Sequence, residues 1–240
     1  MSEIRRGFRR VGHKGADALV PGNTIASFER AVEIGVDTVE FDVLRLEDPA
    51  APLAIGHDWA AAAARLPLSL DEALDAFTQA PLDSVEIDCD LKLPGREDDL
   101  VEALRARGLI ERATVSTMYV ESLLAIRRLE PKLRTGWSYP KVTRAWDRKP
   151  WARPAVGATL VGLRARLPAL IRRRAPQLGI ASLWCFERLI SPGVVAASGE
   201  IGIELIAWTV DDPARIAALR SIGVDGICSN DPRLLADPEA

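Results

Sequence analysis

The chain of 240 residues contains two histidines, His13 and His57, and a short segment with two carboxylates, Glu40 and Asp42, lies between them. Side chains at positions i and i+2 of a β-strand point to the same face, so one strand can present both carboxylates together. Carboxylate oxygens are preferred ligands of Mg²⁺ and Ca²⁺, and imidazoles titrate near neutral pH. The spacing therefore predicts a hydrolytic site with a metal-binding pair and a histidine on either side.

Residues 84–92 predict a second strand, SVEIDCDLK, whose two faces differ in chemistry. Asp90 and Lys92 share the polar face by parity, whereas the alternate positions are apolar. The outward face of a barrel strand packs on helices, so we expect the polar face to point into the barrel. Asp90 would then be a third carboxylate beside Glu40 and Asp42. Lys92 would be a cationic partner for a bound phosphate, with a buried ion network without metal as the alternative.

Short β-like segments alternate with amphipathic helical segments along nearly the whole chain. The predicted strands are 9–13, 38–43, 84–92, 113–118, 133–139, 180–186, 203–210 and 226–229. The alternation predicts a (β/α)8 TIM barrel that forms a single domain over 1–240, with its active site at the C-terminal ends of the strands. An open doubly wound sheet is the alternative, but no GxGxxG sequence follows the first strand.

The composition favours a soluble cytoplasmic protein over a nucleic-acid-binding or membrane-spanning one. The net charge is −3 and 48% of the residues are hydrophobic, which allows one large core but gives no field that would attract nucleic acid. The first residues lack the apolar stretch of a signal peptide, and no apolar run is long enough to span a bilayer. The three isolated cysteines are typical of buried strand residues in a reducing compartment.

Residues 141–174 interrupt this alternation. They contain ten Lys or Arg and a single acidic residue, Asp147. We expect a basic helical excursion around 141–176 with a solvent-exposed charged face. Peripheral contact with anionic lipid through 141–174 is the alternative, although Pro150 and Pro154 argue against one continuous amphipathic helix there.

Ordered motifs at both ends of the chain resemble those of the glycerophosphodiester phosphodiesterase family. The family's H-R-G, P-E-N-T, G-x-D-x-x-E-x-D-V and H-D motifs correspond to residues 13–15, 21–24, 35–43 and 57–58. Its later E-x-K, W-T-V-(N/D) and G-V-D-G-I-x-(T/S)-(D/N) motifs correspond to residues 90–92, 208–211 and 223–230. The resemblance extends from about residue 11 to residue 235.

The resemblance implies a phosphodiester hydrolase of lipid metabolism with a phospholipase-C-like TIM barrel. Its substrates would be glycerophosphodiesters or lysophospholipid-like diesters, cleaved to an alcohol and glycerol 3-phosphate or a related phosphomonoester. It also implies site roles, namely binding of Mg²⁺ or Ca²⁺ by Glu40, Asp42 and Asp90, acid/base catalysis by His13 and His57, and phosphate binding by Lys14 and Lys92.

The chain departs from the family's motifs at three positions close to this site. Lys14 replaces an arginine, so a bidentate phosphate contact becomes a point charge. Gly22 replaces the glutamate of P-E-N-T and removes a carboxylate near the metal. Asp90 replaces a glutamate and is one methylene shorter, so the ion must lie nearer this strand or be reached through water.

The substrate pocket is also expected to differ from that of the family. Only about ten residues separate His57 from the next predicted helix, so the usual small capping segment is missing and the pocket should be open. Trp184 and Trp208 are candidate walls of a groove for a larger or lipid-like alcohol. Packing at the barrel end is the alternative for both indoles.

Two other functions fit the same residues. A lyase of the phospholipase D toxin type would use the same barrel and release a cyclic phosphate. A catalytically weakened barrel that binds a phosphorylated ligand or lipid is the other alternative, which Lys14 and Gly22 favour. The sequence leaves open the alcohol, the choice of metal and the oligomeric state.

Overall fold

The computed structural model describes residues 7–48, 50–64, 67–141 and 153–236. Within them the strands are β1 (Arg9–Gly12), β2 (Thr38–Leu44), β3 (Ala54–Ile55), β4 (Glu86–Leu91), β5 (Ala113–Thr117), β6 (Arg134–Tyr139), β7 (Ser182–Phe186), β8 (Glu204–Trp208) and β9 (Gly226–Ser229). The α-helices are α1 (Ile25–Ile34), α2 (Trp59–Ala64), α3 (Leu70–Ala76), α4 (Glu97–Ala106), α5 (Val120–Leu129), α6 (Arg153–Leu178), α7 (Pro192–Ile201) and α8 (Pro213–Ser221).

Eight of these strands form a closed parallel barrel. β1 pairs with both β2 and β9, and the strands between them follow in the order β4, β5, β6, β7 and β8. The predicted TIM barrel is therefore confirmed, and each of the eight predicted strands lies within two residues of an observed one. The short β3 was not predicted because two residues carry no usable alternation; it adds antiparallel to β2.

The alternation of side chains in β2 explains how a buried strand can carry two acids. All seven residues of β2 are buried, because Val39, Phe41 and Val43 face the helices while Glu40 and Asp42 face the barrel interior. The outward Phe41 packs against Phe28 of α1 and Phe77 at the end of α3, with ring centroids 5.4 Å away in both cases. This aromatic cluster fixes the backbone from which Glu40 and Asp42 project inward.

The N-terminal end of the barrel is closed by an ionic layer. Arg9 is 8% exposed, donates to Thr38 and to Glu204 at 3.0 Å each, and is ion-paired with Glu86. Buried inward-facing side chains pack in the lumen above this layer, namely Val11, Trp184, Ile206 and Cys228. The open end of the barrel is therefore the C-terminal one, as in other TIM barrels.

The connection from β2 to α3 spans residues 45–69. Within its described residues it contains β3 and the six-residue α2, which agrees with the expected lack of a capping insertion. It ends at a reciprocal capping box, in which the Ser69 hydroxyl accepts from the Glu72 N–H and the Glu72 carboxylate accepts from the Ser69 N–H.

The basic excursion is a 26-residue helix, α6, which starts at Arg153. Leu167 and Ile171 in its second half are fully buried, whereas Arg164 and Arg166 are exposed. Residues 142–152, where the sequence places Asp147 and Pro150, lie outside the described residues. Pro154 lies in the first turn of α6, where a missing N–H breaks no helical hydrogen bond. No helix in the described ranges is both long enough and apolar enough to cross a membrane.

Candidate active site

Three carboxylates converge at the C-terminal end of the barrel. Asp42 of β2 lies directly beside Asp90 of β4 in the parallel register, and Glu40 is two residues before Asp42 on the same face. One oxygen from each group lies within 4.8 Å of the others. Glu40 and Asp42 are buried, which excludes most competing water. A compact set of carboxylate oxygens fits a hard divalent cation such as Mg²⁺ or Ca²⁺.

The cluster of carboxylates also includes one positively charged side chain, that of Lys92. Its ammonium is ion-paired with both Asp42 and Asp90, and its side chain is 12% exposed. Burial works to lower the pKa of Lys92, but the charges of Asp42, Asp90 and Glu40 raise it well above its usual value. Lys92 therefore remains protonated and can face an anionic phosphate from inside the cluster.

The two carboxylates of β2 are shifted in opposite directions. Burial, together with the charge of Asp42, raises the pKa of Glu40 well above its usual value. Burial acts on Asp42 as well, but the Lys92 ammonium and the hydrogen bond with His57 hold the pKa of Asp42 well below its usual value. Of the pair, Asp42 carries the permanent charge, and Glu40 is the group that a bound cation would ionise.

His13 follows β1 and lies on one side of the carboxylates. Its Nδ1 is 2.6 Å from the amide oxygen of Asn230, and its Nε2 is 3.9 Å from Glu40 Oε2. An amide oxygen can only accept, so Nδ1 carries the proton and Nε2 keeps a lone pair directed at the cluster. Burial lowers the pKa of His13, which favours the neutral ring, the form that can accept a proton.

Asn230 and Asp211 are site residues to which sequence reasoning assigned no role. The Asn230 amide donates to Asp211 Oδ2 at 2.6 Å, and the Asn230 N–H donates to Asp211 Oδ1 at 2.8 Å. These bonds fix which end of the amide faces His13. Both residues lie in motifs that carried the family resemblance, and that was the only available signal. Parity within one strand cannot reveal a contact made between the ends of β8, β9 and β1.

His57 lies on the other side of the carboxylates, two residues after β3. Its Nδ1 is 3.5 Å from Asp42 Oδ2, and its side chain is 56% exposed. The two histidines thus contact different carboxylates of the same cluster, and the His13 side chain is 19% exposed whereas that of His57 is 56% exposed. This asymmetry suits one group that takes a proton within the site and another that exchanges protons at its edge.

Asn23 is a further site residue to which sequence reasoning assigned no role. Its amide donates to Asp42 Oδ2 at 2.8 Å and accepts from the Asp42 N–H at 3.1 Å, so both ends of the amide hold the same residue. Asn23 is buried and has a φ of 59°, in the left-handed region that asparagine tolerates. It therefore fixes the orientation of the ionised carboxylate.

The loop after β1 forms the wall of a cavity beside His57. The Lys14 N–H donates to Glu40 Oε2 at 2.9 Å, and the Lys14 ammonium is 3.7 Å from Asp17 Oδ2. The cavity has a volume of about 240 Å³, and Lys14, Gly22, Asn23 and His57 are among its lining residues. The structure therefore places Lys14 at the mouth, next to the exposed histidine.

The two predicted pocket tryptophans occupy different depths. Trp184 is 5% exposed, packs within the lumen and donates its indole N–H to Ser182 Oγ at 3.0 Å, which favours the packing alternative. Trp208 ends β8, is partly exposed and lies 5.8 Å from the ring of Phe186. Its indole N–H has no hydrogen-bond partner among the described residues. Trp208 is thus at the mouth and Trp184 is below it.

Comparison with known proteins agrees with this geometry. A curated glycerophosphodiester phosphodiesterase from Caldanaerobacter subterraneus subsp. tengcongensis is 26% identical and covers 94% of this chain and 95% of its own. A solved structure assigned to the same enzyme type from Galdieria sulphuraria superposes with a TM-score of 0.75 at 16% identity, covering 97% and 98% of the two chains.

A solved Oleispira antarctica phosphodiesterase, in complex with the product sn-glycerol-3-phosphate, has a TM-score of 0.67 at 19% identity and covers 93% of each chain. These structural similarities establish the fold. The sequence profile described as the Glycerophosphoryl diester phosphodiesterase family matches residues 13–58 and 84–234, which include all the side chains gathered at the mouth. The chain therefore belongs to the glycerophosphoryl diester phosphodiesterase family, and it is an enzyme of the phosphoric diester hydrolase class.

Proposed function

We propose that this enzyme hydrolyses glycerophosphodiesters, or lysophospholipid-like diesters, to an alcohol and glycerol 3-phosphate or a related phosphomonoester. The observation that carries the proposal is the convergence of three carboxylates between two histidines at the barrel mouth. The names of the curated relative and of the product complex of the Oleispira enzyme support the same substrate class.

Glu40, Asp42 and Asp90 would hold a divalent cation, Mg²⁺ or Ca²⁺. Such a cation, when bound, supplies positive charge that neutralises the phosphoryl oxygens. The protein's own contribution is to hold the three carboxylates within 4.8 Å of one another and to keep Lys92 protonated beside them. Lys92 from inside the cluster and Lys14 from the mouth bind the anionic phosphate.

The two histidines perform the proton transfers. His13 accepts a proton from the nucleophile at Nε2, the nitrogen left free by the Nδ1–Asn230 hydrogen bond. His57 protonates the departing alcohol from the open side, where its exposed ring exchanges protons with solvent. The nucleophile is a water, which gives the phosphomonoester directly, or the neighbouring hydroxyl of the substrate, which gives a cyclic phosphate that a water must then open. Trp208 at the mouth contacts the alcohol.

A panel assay tests this function. The purified enzyme is assayed with glycerophosphocholine, glycerophosphoethanolamine, glycerophosphoinositol and lysophosphatidylcholine, with Mg²⁺ and with Ca²⁺. His13→Ala and His57→Ala should each lower kcat by about 10²- to 10⁴-fold, whereas the exposed Gln79→Ala should not change it. Absence of cleavage by the wild type with either metal, or full activity of His13→Ala, would contradict the proposal.

Phosphorus NMR of the reaction separates the alternatives. A phosphomonoester as the final product supports hydrolysis. A cyclic phosphate that persists identifies the lyase reaction, and calorimetric binding of a diester without turnover identifies a binding barrel.

We also propose that the enzyme is cytoplasmic and contacts anionic membranes peripherally through residues 141–174. Arg164, Arg166 and Arg173 are exposed on α6, and the helix carries no acidic residue. Each such cation near an anionic surface contributes about 1 kcal/mol. Sedimentation with phosphatidylserine vesicles should carry the protein down at low salt and not at high salt, and retention in the supernatant at both would contradict this contact.

A further inference from the structure

The loop after β1 contains an aspartate that the mechanism above does not use. Asp17 Oδ1 accepts from the Gly22 N–H at 2.8 Å, and Asp17 Oδ2 is 3.7 Å from the Lys14 ammonium. The Asp17 side chain is 33% exposed, so only part of the carboxylate is shielded by the loop. One carboxylate thus connects the two ends of the loop that carries Lys14.

Gly22 is tightly enclosed by these same groups. A Cβ added to Gly22 would lie 2.3 Å from Asp17 Oδ1 and 2.8 Å from Lys14 Cβ, distances that real Cβ atoms do not reach. A side chain at position 22 and the carboxylate of Asp17 therefore cannot occupy this space together. In this chain the space beside Lys14 is filled from position 17.

Asp17 also lies between two cavities at the barrel mouth. It lines the cavity of about 240 Å³ that contains Lys14 and His57. It also lines a cavity of about 460 Å³ formed with Asp211 and Asn230, the residues that support His13. Asp17 consequently borders both the cavity that contains His57 and the cavity beside the residues that support His13.

We propose that Asp17 is a positioning residue for the phosphate-binding Lys14. The carboxylate, anchored by the Gly22 N–H, holds the flexible ammonium in the cavity beside His57 and limits the number of rotamers that Lys14 explores. It supplies from position 17 the negative charge that position 22 lacks. This inference rests on the proposed function, because Lys14 must bind the phosphate of a diester for its position to matter.

A double-mutant cycle tests the proposal. Asp17→Asn keeps an oxygen that can accept from the Gly22 N–H but removes the charge beside Lys14. We expect Asp17→Asn to raise KM about fivefold with kcat within about twofold, because ground-state binding of the phosphate is weakened. Lys14→Met should raise KM as well, and Asp17→Asn should add nothing in the Lys14→Met background.

The matched control is Glu33→Gln, which neutralises an exposed pair of the same i, i+3 spacing, Arg30–Glu33, and should leave KM unchanged. An unchanged KM for Asp17→Asn, or multiplicative effects of Asp17→Asn and Lys14→Met, would overturn the inference. If the wild type cleaves no diester, the proposed function fails instead, and the two failures are therefore distinguishable.

A stability measurement tests the shared space without reference to activity. Gly22→Ala should lower Tm by about 4 °C or more in the wild type, because the new methyl group meets Asp17 Oδ1. The decrease should be smaller in the Asp17→Ala background, where the shorter of the two contacts is gone. Equal decreases in the two backgrounds would show that Asp17 does not occupy this space and would overturn the inference.

Discussion

At the scale of residues, the site depends on side-chain amides that fix the direction of the reacting groups. Asn230 accepts from His13 Nδ1 and donates to Asp211, so the amide cannot turn over without losing both bonds. Asn23 holds Asp42 by its backbone and its carboxylate in the same way. Neutral amides orient these groups without adding charge to a cluster that already contains three carboxylates.

Asn230→Ala should lower kcat by about 10- to 100-fold, because His13 loses the bond that fixes its tautomer and ring orientation. KM should change little, since Asn230 contacts neither Lys14 nor Lys92, the lysines proposed to bind the phosphate, in the described structure. Steady-state kinetics beside the exposed Gln79→Ala variant provides the measurement. Wild-type kcat for Asn230→Ala would show that His13 does not need this support.

Glu40 predicts the pH dependence of metal binding. Its pKa is raised by burial and by Asp42, so Glu40 remains protonated to a higher pH than an ordinary glutamate. A cation must displace this proton, and affinity for Mg²⁺ or Ca²⁺ should therefore increase as the pH rises through the raised pKa. Calorimetry in two buffers of different ionisation enthalpy should detect proton release, which should disappear in Glu40→Gln. Affinity that is independent of pH would contradict this explanation.

At the scale of elements, the parallel register of β2 and β4 brings the three carboxylates together, and this part could be predicted from the sequence. Parity places Glu40 and Asp42 on one face and Asp90 on the equivalent face of the next strand, because side-chain alternation is a local property. The contact between His13, which follows β1, and Asn230, which follows β9, joins residues that are 217 positions apart in the sequence. A local sequence pattern cannot predict a contact between residues so far apart.

The contacts within the loop after β1, which contains Gly22, could not be predicted from a local pattern either. The sequence indicates a missing carboxylate at position 22, but the fold alone reveals that Asp17 fills the space. The depth of the two tryptophans is likewise a tertiary property, because Trp184 and Trp208 share an inward parity and differ only in distance from the strand end.

The outward-facing side chains of β2 should also matter for the site, because they hold the backbone from which Glu40 and Asp42 project. Phe41 is fully buried between Phe28 and Phe77, so Phe41→Ala should reduce the free energy of unfolding by about 3–5 kcal/mol through the cavity it leaves. Phe41→Leu should cost less, and the exposed Leu124→Ala serves as the control. Urea denaturation measures the effect, and a loss below about 1 kcal/mol would refute the anchoring role of this cluster.

At the scale of the whole molecule, stability and chemistry are located at opposite ends of the barrel. Arg9 and its two glutamates close the N-terminal end, while the carboxylates and histidines lie at the C-terminal end. Because the lumen between them is filled by packed side chains, changes at the closed end should not reach the site.

Arg9→Met leaves Glu86 and Glu204 without their shared partner and should lower the free energy of unfolding by about 3 kcal/mol. The folded fraction should retain wild-type kcat, because no residue of the ionic layer contacts the mouth within the described structure. Chemical denaturation and kinetics on the same preparation measure both quantities. A large decrease in kcat of fully folded Arg9→Met would contradict the separation of the two ends.

The filled lumen also determines where the substrate enters the enzyme and where the products leave it. With the barrel closed by Arg9 below and packed around Trp184 in the middle, the diester enters and both products leave through the same opening. In the binding mode proposed above, Lys92 holds the phosphate within the cluster and Trp208 contacts the alcohol at the mouth, so the alcohol would lie nearer this opening. That binding mode predicts that the alcohol departs first and the phosphomonoester last.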